Sequence, residues 1–193
     1  MRPQNIYLLG AVCFAFLTTS SLTVSGRVLD WGGSLDLNWA SAENWTPERT
    51  PTAGDQLVFQ GSLNTSTIND LFTDTLINGI DFTNTANDQN FLLSGNRIVL
   101  DSDIQTTAVA DPSSDLIEDE ITLAIVLITA DIGLNTGTGH NLKVSGVISG
   151  AQQLEINNGS RAQDDGVVTL FAANTYTAGT LLRGGTLDRK SVV

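Results

Sequence analysis

An acidic run is the first group of side chains in this sequence that could bind a ligand. Residues 111–120, DPSSDLIEDE, carry five carboxylates, and carboxylate oxygens are the ligands that calcium prefers. Asp111, Asp115, Glu118 and Asp119 are therefore candidate calcium ligands. Their spacing lacks the D-x-D-x-D-G pattern that arranges ligands around one ion. This favours a solvated acidic loop over a calcium site.

The single histidine, His140, is the next group that could do chemistry. It lies in the segment TGTGHN, whose glycines predict a turn. No G-x-S-x-G nucleophile elbow accompanies it, and the single cysteine, Cys13, lies near the amino terminus. No pair of carboxylates stands out as the acid and base of a glycosidase, although any two can meet in a fold. We therefore expect no catalytic residue, no cofactor and no enzymatic activity.

Three tryptophans, Trp31, Trp39 and Trp45, fall within fifteen residues. Exposed indole rings stack on sugar rings, so one interpretation is a carbohydrate-binding surface. The other is that the rings close the open end of a stacked β structure against solvent and strand pairing. We favour the second interpretation and predict an amino-terminal cap over residues 27–61.

Short alternating apolar stretches, separated by Gly, Asn and Ser, predict the elements that must position these side chains. Leu142, Leu154, Val168 and Leu182 mark strand starts that are 12, 14 and 14 residues apart. Strands at this spacing predict an all-β chain, either a sandwich or a solenoid. Residues 121–128, ITLAIVLI, are apolar on both faces and predict one buried strand. We assign residues 62–165 to β-strand coils.

Composition and charge narrow the classes of function. Of the 193 residues, 41% are hydrophobic, 6% are aromatic and 18 are glycine, which is typical of a folded β protein. The net charge is −12. We expect no nucleic-acid partner, because a phosphate backbone attracts a concentrated surface of Lys and Arg.

Both ends of the chain depart from the strand pattern. Residues 1–26 combine Arg2, an apolar run over 6–17 and a small polar stretch, the layout of a secretory signal peptide. The run is shorter than the roughly 20 residues that a spanning helix needs. We expect cleavage between Ser20 and Arg27 and no membrane-spanning segment afterwards. Residues 188–193, DRKSVV, back-translate to a common sequencing adapter, so we expect an artefact there and an amino-terminal fragment of a longer protein.

The segment over residues 166–187, GVVTLFAANTYTAGTLLRGGTL, resembles the autotransporter-associated β-strand repeat of secreted bacterial surface proteins. Phe171, Ala178 and Arg183 depart from the repeat pattern. Residues 31–61 also look like the opening of many proteins that carry this repeat, with two Asn-Trp pairs before a Pro-rich turn and a Gly-Asp strand start. The positions that match the repeat include Gly166, Asn174, Thr175, Tyr176, Thr177, Gly179, Thr180, Gly184 and Gly185.

The resemblance implies a right-handed parallel β-helix in preference to a β-sandwich, with residues 166–187 as a truncated repeat unit. It also implies a bacterial protein that is secreted to the cell surface or outer membrane. Such a protein serves as a stalk or passenger for adhesion or display, facing an extracellular surface, matrix or polysaccharide. The alternatives are the frame of an extracellular polysaccharide-degrading enzyme and a carbohydrate-binding module at the tryptophan-rich start.

Overall fold

Stacked parallel strands build the structure, a computed structural model that describes residues 26–83, 90–109, 116–159 and 166–190. Strands make up 47% of it and form a β-solenoid of about six turns, which confirms the all-β solenoid prediction. The predicted signal peptide lies outside the described residues apart from Gly26. The strands in chain order are β1 Val28–Trp31, β2 Trp45–Thr46, β3 Asp55–Phe59, β4 Ser66–Asn69, β5 Thr75–Phe82, β6 Leu92–Gly95, β7 Ile98–Leu100, β8 Ile104–Thr106, β9 Ile117–Ile121, β10 Ile125–Leu127, β11 Ile132–Asn135, β12 His140–Val144, β13 Ile148–Gly150, β14 Leu154–Ile156, β15 Val167–Leu170, β16 Thr180–Leu182 and β17 Thr186–Arg189.

The strands stack in three columns. One column is the six-stranded sheet β4-β6-β9-β12-β15-β17, and the other two form one larger sheet. Its first arm contains β5, β7, β10 and β13, and its second arm contains β1, β3, β5, β8, β11, β14 and β16. Apart from the antiparallel pair of β1 and β2, the pairing is parallel. Each coil therefore places its strands on those of the coil before it.

The long strand β5 joins the two arms of the larger sheet. Its first residues, Thr75 to Ile77, pair with β7, and its last residues pair with β3 and β8. The register with β3 shifts at Gly79, where an added Cβ would lie 2.8 Å from the carbonyl oxygen of Asp103. A glycine at this corner lets two neighbouring backbones approach closely.

The core lies inside the columns, because alternate side chains of every strand point inward. The four predicted strand starts alternate between the two sheets. Leu142 stacks on Val168 in the six-stranded sheet. Leu154 lies in β14 and Leu182 in β16, which pair with each other in the larger sheet. One coil therefore spans two of the predicted spacings. Leu182 is itself exposed on the last coil.

The prediction of one buried strand over residues 121–128 is wrong. Ile121 ends β9, Leu123 is buried between the strands, and β10 begins at Ile125. Ile121, Leu123, Ile125 and Leu127 are all buried, so the alternation of inward side chains continues through the corner that separates the two strands. Ile128, at the end of the run, is exposed.

Residues 188–190, which were expected to be part of an artefact, continue the last strand. Asp188 and Arg189 belong to β17 and pair with Thr169 and Leu170 of β15. The Lys190 N–H donates to the carbonyl of Leu170 at 3.0 Å. Residues 191–193 lie outside the described residues.

Candidate functional site

The three tryptophans form an aromatic cluster with Phe59 over one end of the core. β1 places Trp31 opposite Trp45, and their ring centroids lie 5.0 Å apart, edge to face. Trp39 meets Trp45 edge to face at 6.2 Å. Phe59 lies 5.5–6.0 Å from all three indoles and 5.7 Å from Phe82. The cluster therefore continues directly into the apolar interior of the coils.

The polar edge of each indole also has a partner. Trp45 Nε1 donates to the carbonyl of Trp39 at 2.8 Å, and Trp39 Nε1 donates to Thr67 Oγ1 at 2.9 Å. Trp31, Trp39 and Trp45 are 1%, 0% and 2% exposed. Stacking on a sugar needs an open ring face, and these rings have none. Their geometry argues against the sugar-binding interpretation and agrees with a cap.

Asn44, which sequence reasoning did not single out as a structural residue, ties the cap loop together. Its Oδ1 accepts the N–H groups of Leu35 and Asp36 at 2.8 and 3.2 Å. Its Nδ2 donates to Asp36 Oδ1 and to the carbonyl of Asn38. The N–H of Asn38 also donates to the Asp36 carboxylate, and this hydrogen bond is the main cause of the lowered pKa of Asp36. The Asn44-Trp45 pair in the sequence is the signal from which this structural role could have been predicted.

His140 was predicted to be a turn residue, but it begins β12 and is fully buried. Its Nε2 lies 2.6 Å from Asp119 Oδ2, and its Nδ1 lies 2.9 Å from the carbonyl oxygen of Thr107. Asp119 Oδ1 accepts the N–H of Phe91 at 2.7 Å. The pair therefore connects β9 and β12 to the segments before β6 and after β8.

The two contacts of His140 involve both of its ring nitrogens. The Thr107 carbonyl only accepts hydrogen bonds, so Nδ1 carries a proton. The contact between Nε2 and Asp119 Oδ2, at 2.6 Å, is a second hydrogen bond of the ring. Because both ring nitrogens are engaged, neither is free to take a proton from a nucleophile, which indicates a structural role.

The four calcium candidates do not come together in the described part of the chain. Asp111 and Asp115 lie outside the described residues. Glu118 and Asp119 point to opposite faces of β9, with Glu118 exposed and Asp119 buried against His140. Across the described residues, no group of three or more His, Cys, Asp or Glu side chains is placed to hold a metal ion. Glu118 and Asp119 therefore cannot share one ion.

The repeat-like segment forms a corner that stacks on the coil before it. Asn174 Oδ1 accepts the N–H of Ile148 at 2.7 Å, and the N–H of Thr175 donates to the Ile148 carbonyl at 2.9 Å. The N–H of Thr177 donates to the carbonyl of Gly150, two residues further along β13. The Tyr176 and Thr180 hydroxyls lie 2.5 Å apart. The NTYT residues thus extend the column of β13.

The motif glycines lie at the turns of the same coil. The N–H of Gly166 donates to the carbonyl of Thr136 at 3.2 Å. The carbonyl of Gly179 accepts the N–H of Leu154, and that of Gly184 accepts Asn157 Nδ2 at 3.2 Å. Gly179 and Gly185 both have positive φ. These contacts join the last coil to the one before it at each corner.

A cavity of about 650 Å³ opens beside the start of β5. We call it the Phe72 cavity. Its walls come from the loop over residues 50–53, from the loop over residues 70–74 that joins β4 to β5, and from Leu76. Asp70 and Asp74 are its only charged lining residues in the described chain. Its apolar lining residues are Ala40, Pro51, Ala53, Leu71, Phe72 and Leu76.

Phe72, which sequence reasoning missed, is 92% exposed. Its loop is nevertheless fastened on both sides: the N–H of Leu71 donates to Asn69 Oδ1, and the Phe72 carbonyl accepts the Thr75 N–H and hydroxyl. The N–H of Asp74 donates to the carbonyl of Arg97 at 2.8 Å. The phenyl ring of Phe72 is thus held in solvent by an ordered loop and does not contribute to the core.

A bidentate ion pair closes the end of this loop. Arg97 Nε and Nη2 donate to the two oxygens of Asp74 at 2.6 and 2.8 Å. These hydrogen bonds and the charge of Arg97 lower the pKa of Asp74, and Asp74 in turn raises the pKa of Arg97. Asp74 is therefore neutralised by its partner, whereas Asp70 has no cationic partner among the described residues.

No protein family, curated protein or solved structure that was compared with this chain matches it. The resemblance of residues 166–187 to the autotransporter-associated repeat therefore stays a prediction. Within the described ranges, no helix combines the length and the apolar character that crossing a bilayer requires.

Proposed function

We propose that this protein is a non-enzymatic, exported surface scaffold, a solenoid stalk that displays its outer faces for adhesion. The observation that supports the proposal most directly is the stacking of parallel strands from β3 to β17 around an apolar interior. Outward side chains of successive coils then repeat about every 4.8 Å along each column. A regular surface of this kind suits contact with an extended partner.

The geometry of the residues best able to do chemistry also supports a scaffold. Both nitrogens of His140 are engaged in the core. Glu120, which follows Asp119 on the outer face of β9, contacts Lys143 Nζ at 3.2 Å and Ser145 Oγ at 2.5 Å. These groups join neighbouring coils to one another.

Export is tested by expressing the full chain in a bacterial host and sequencing the amino terminus of the product that leaves the cytoplasm. The proposal expects a mature amino terminus between Ser20 and Arg27. A matched version that lacks residues 2–20 should stay in the cytoplasm. Retention of the full chain with its first residues intact would contradict export.

Adhesion is tested with the exported protein on immobilised extracellular-matrix proteins and on insoluble polysaccharides. The proposal expects saturable retention on at least one surface and no release of reducing ends from the polysaccharides. Release of reducing ends at a rate proportional to protein concentration would contradict a non-enzymatic role. A mock preparation, purified in the same way from host cells that lack the gene, is the control for contaminating hydrolases.

A further inference from the structure

The Phe72 cavity has the chemistry of a site for an organic cation. We propose that it binds the basic side chain of a partner peptide, a lysine or arginine whose alkyl stem enters the cavity. This inference goes beyond the proposed function and does not depend on where the protein is located.

The volume and walls of the cavity suit an alkyl stem. Ligand pockets commonly measure about 300–1,000 Å³ and combine apolar walls with a few polar groups, and this cavity measures about 650 Å³. Lys and Arg side chains bury their methylene stems along apolar surface and keep the charged head at a polar edge. Pro51, Ala53 and Leu76 offer that apolar surface.

The charge on the lining is negative and is not fully compensated. Asp74 is bound by Arg97 through both oxygens. Asp70 uses Oδ1 to accept the N–H of Ala40 at 2.7 Å, and its Oδ2 has no partner among the described residues. Arg49, on the neighbouring loop, is already paired with Asp55. A cation that enters the cavity therefore meets one free carboxylate oxygen.

Phe72 supplies the second contact for a cation. It lies two residues from Asp70 on the same loop, and its ring is almost completely in solvent. The face of an aromatic ring attracts Lys and Arg cations that come within about 6 Å of its centroid. A carboxylate and an aromatic face at one cavity favour a cation over a neutral apolar group, which would gain nothing from Asp70. The net charge of the whole chain, −12, favours the approach of a basic partner.

The test measures binding of three capped pentapeptides, acetyl-Gly-Gly-X-Gly-Gly-amide, to the full chain by ligand-observed NMR. X is lysine, norleucine or glutamate, so the alkyl stem is kept while the charge changes. We expect the lysine peptide to bind with a dissociation constant on the order of 1 mM. The norleucine peptide should bind about tenfold more weakly, and the glutamate peptide should not bind.

Two substitutions examine the two contacts separately. Asp70→Asn keeps an oxygen for the Ala40 N–H but removes the charge, and should weaken lysine-peptide binding about tenfold. Phe72→Leu keeps an apolar side chain but removes the aromatic face, and should weaken binding about threefold. Glu118→Gln and Leu63→Ala alter an exposed carboxylate and an exposed apolar side chain elsewhere, and should leave binding unchanged.

Three results would overturn the proposal. One is that none of the peptides binds at a peptide concentration about tenfold above the expected dissociation constant. Another is that the norleucine peptide binds as tightly as the lysine peptide, which would indicate an apolar site. The third is that Asp70→Asn binds the lysine peptide as wild type does while its circular dichroism spectrum is unchanged.

Discussion

Replacing Asp119 by alanine or by asparagine separates the buried hydrogen bonds of the core from the charge that accompanies them. Asp119 accepts the N–H of Phe91 and is hydrogen-bonded to His140 Nε2, and all of these atoms lie in the interior. Alanine removes both contacts. Asparagine has the same size, can accept the Phe91 N–H through Oδ1, and can donate its amide to a neutral His140 whose Nδ1 proton faces Thr107.

The magnitudes follow from the groups that each variant leaves without a partner. Asp119→Ala strands the Phe91 N–H and His140 Nε2, and each buried unsatisfied group costs about 1–3 kcal/mol. Removing one partner of a buried pair costs about 3–5 kcal/mol, so we expect a loss of that size. Asp119→Asn keeps the hydrogen bonds but makes them neutral, and we expect it to cost about 1 kcal/mol.

The assay is urea unfolding of the full chain, followed by far-ultraviolet circular dichroism and by tryptophan fluorescence. Circular dichroism reports on all coils, whereas the tryptophans report on the cap. Coinciding transitions in both signals are needed before a single free energy of unfolding is assigned. Arg97→Ala is the matched control, because it removes an ion pair whose side chains are 47% and 43% exposed; it should change stability far less than Asp119→Ala.

Two outcomes would refute this account of the pair. If Asp119→Ala unfolds at the same urea concentration as Arg97→Ala, the buried contacts of Asp119 do not stabilise the coils. If Asp119→Asn is as unstable as Asp119→Ala, the charge itself, and not the set of hydrogen bonds, holds His140 in place.

Three further predictions concern the ion pair at the Phe72 cavity, one glycine corner and the cap. Because Arg97 lowers the pKa of Asp74 below its ordinary 3.8, the pair stabilises the protein above about pH 4. This contribution is lost as the pH falls through the lowered pKa, so the stability difference between wild type and Asp74→Asn should shrink below pH 3.8 in acid unfolding; a constant difference would contradict the assignment. Gly95→Ala should destabilise the protein by about 1–3 kcal/mol more than Gly61→Ala in urea unfolding. Both glycines have positive φ, but only a Cβ at position 95 would meet a backbone oxygen, at 2.3 Å. Equal losses of stability in the two variants would refute the close approach. Trp45→Ala should cost about 3–5 kcal/mol if its ring is part of the core, and a variant of wild-type stability would contradict the cap.

The strand pattern of this fold was predictable because most inward-pointing side chains of the stacked coils are apolar. Leu142, Val144 and Val168 alternate with polar residues and lie in the core as expected. The corners were not predictable in the same way. Within residues 121–128 the buried positions 121, 123, 125 and 127 alternate without a break, so the alternation carries no sign of the turn between β9 and β10, and the turn is fixed by the coils on either side.

The candidate sites were harder to predict because their side chains are placed by neighbouring coils. His140 follows Gly137 and Gly139 in sequence, which indicates a turn, yet Asp119 and Thr107 from other coils enclose it. The tryptophans were recognised as a cluster from their spacing, but their burial depends on Phe59 of β3. Phe72 was missed because alternation identifies core residues and gives no signal for an aromatic ring held in solvent.

Disulfide formation between two outward positions tests the stacked register most directly. Val126 of β10 lies beside Ser149 of β13 and also beside Val99 of β7 on the same column. Neighbouring strands are about 4.8 Å apart, within the Cα separation of about 4.4–6.8 Å that a disulfide spans. In a Cys13→Ser background, we predict that cysteines at 126 and 149 form an intramolecular disulfide under mild oxidation. Cysteines at 99 and 149, two strands apart, should stay reduced; a disulfide in this second pair, or none in the first, would contradict the solenoid.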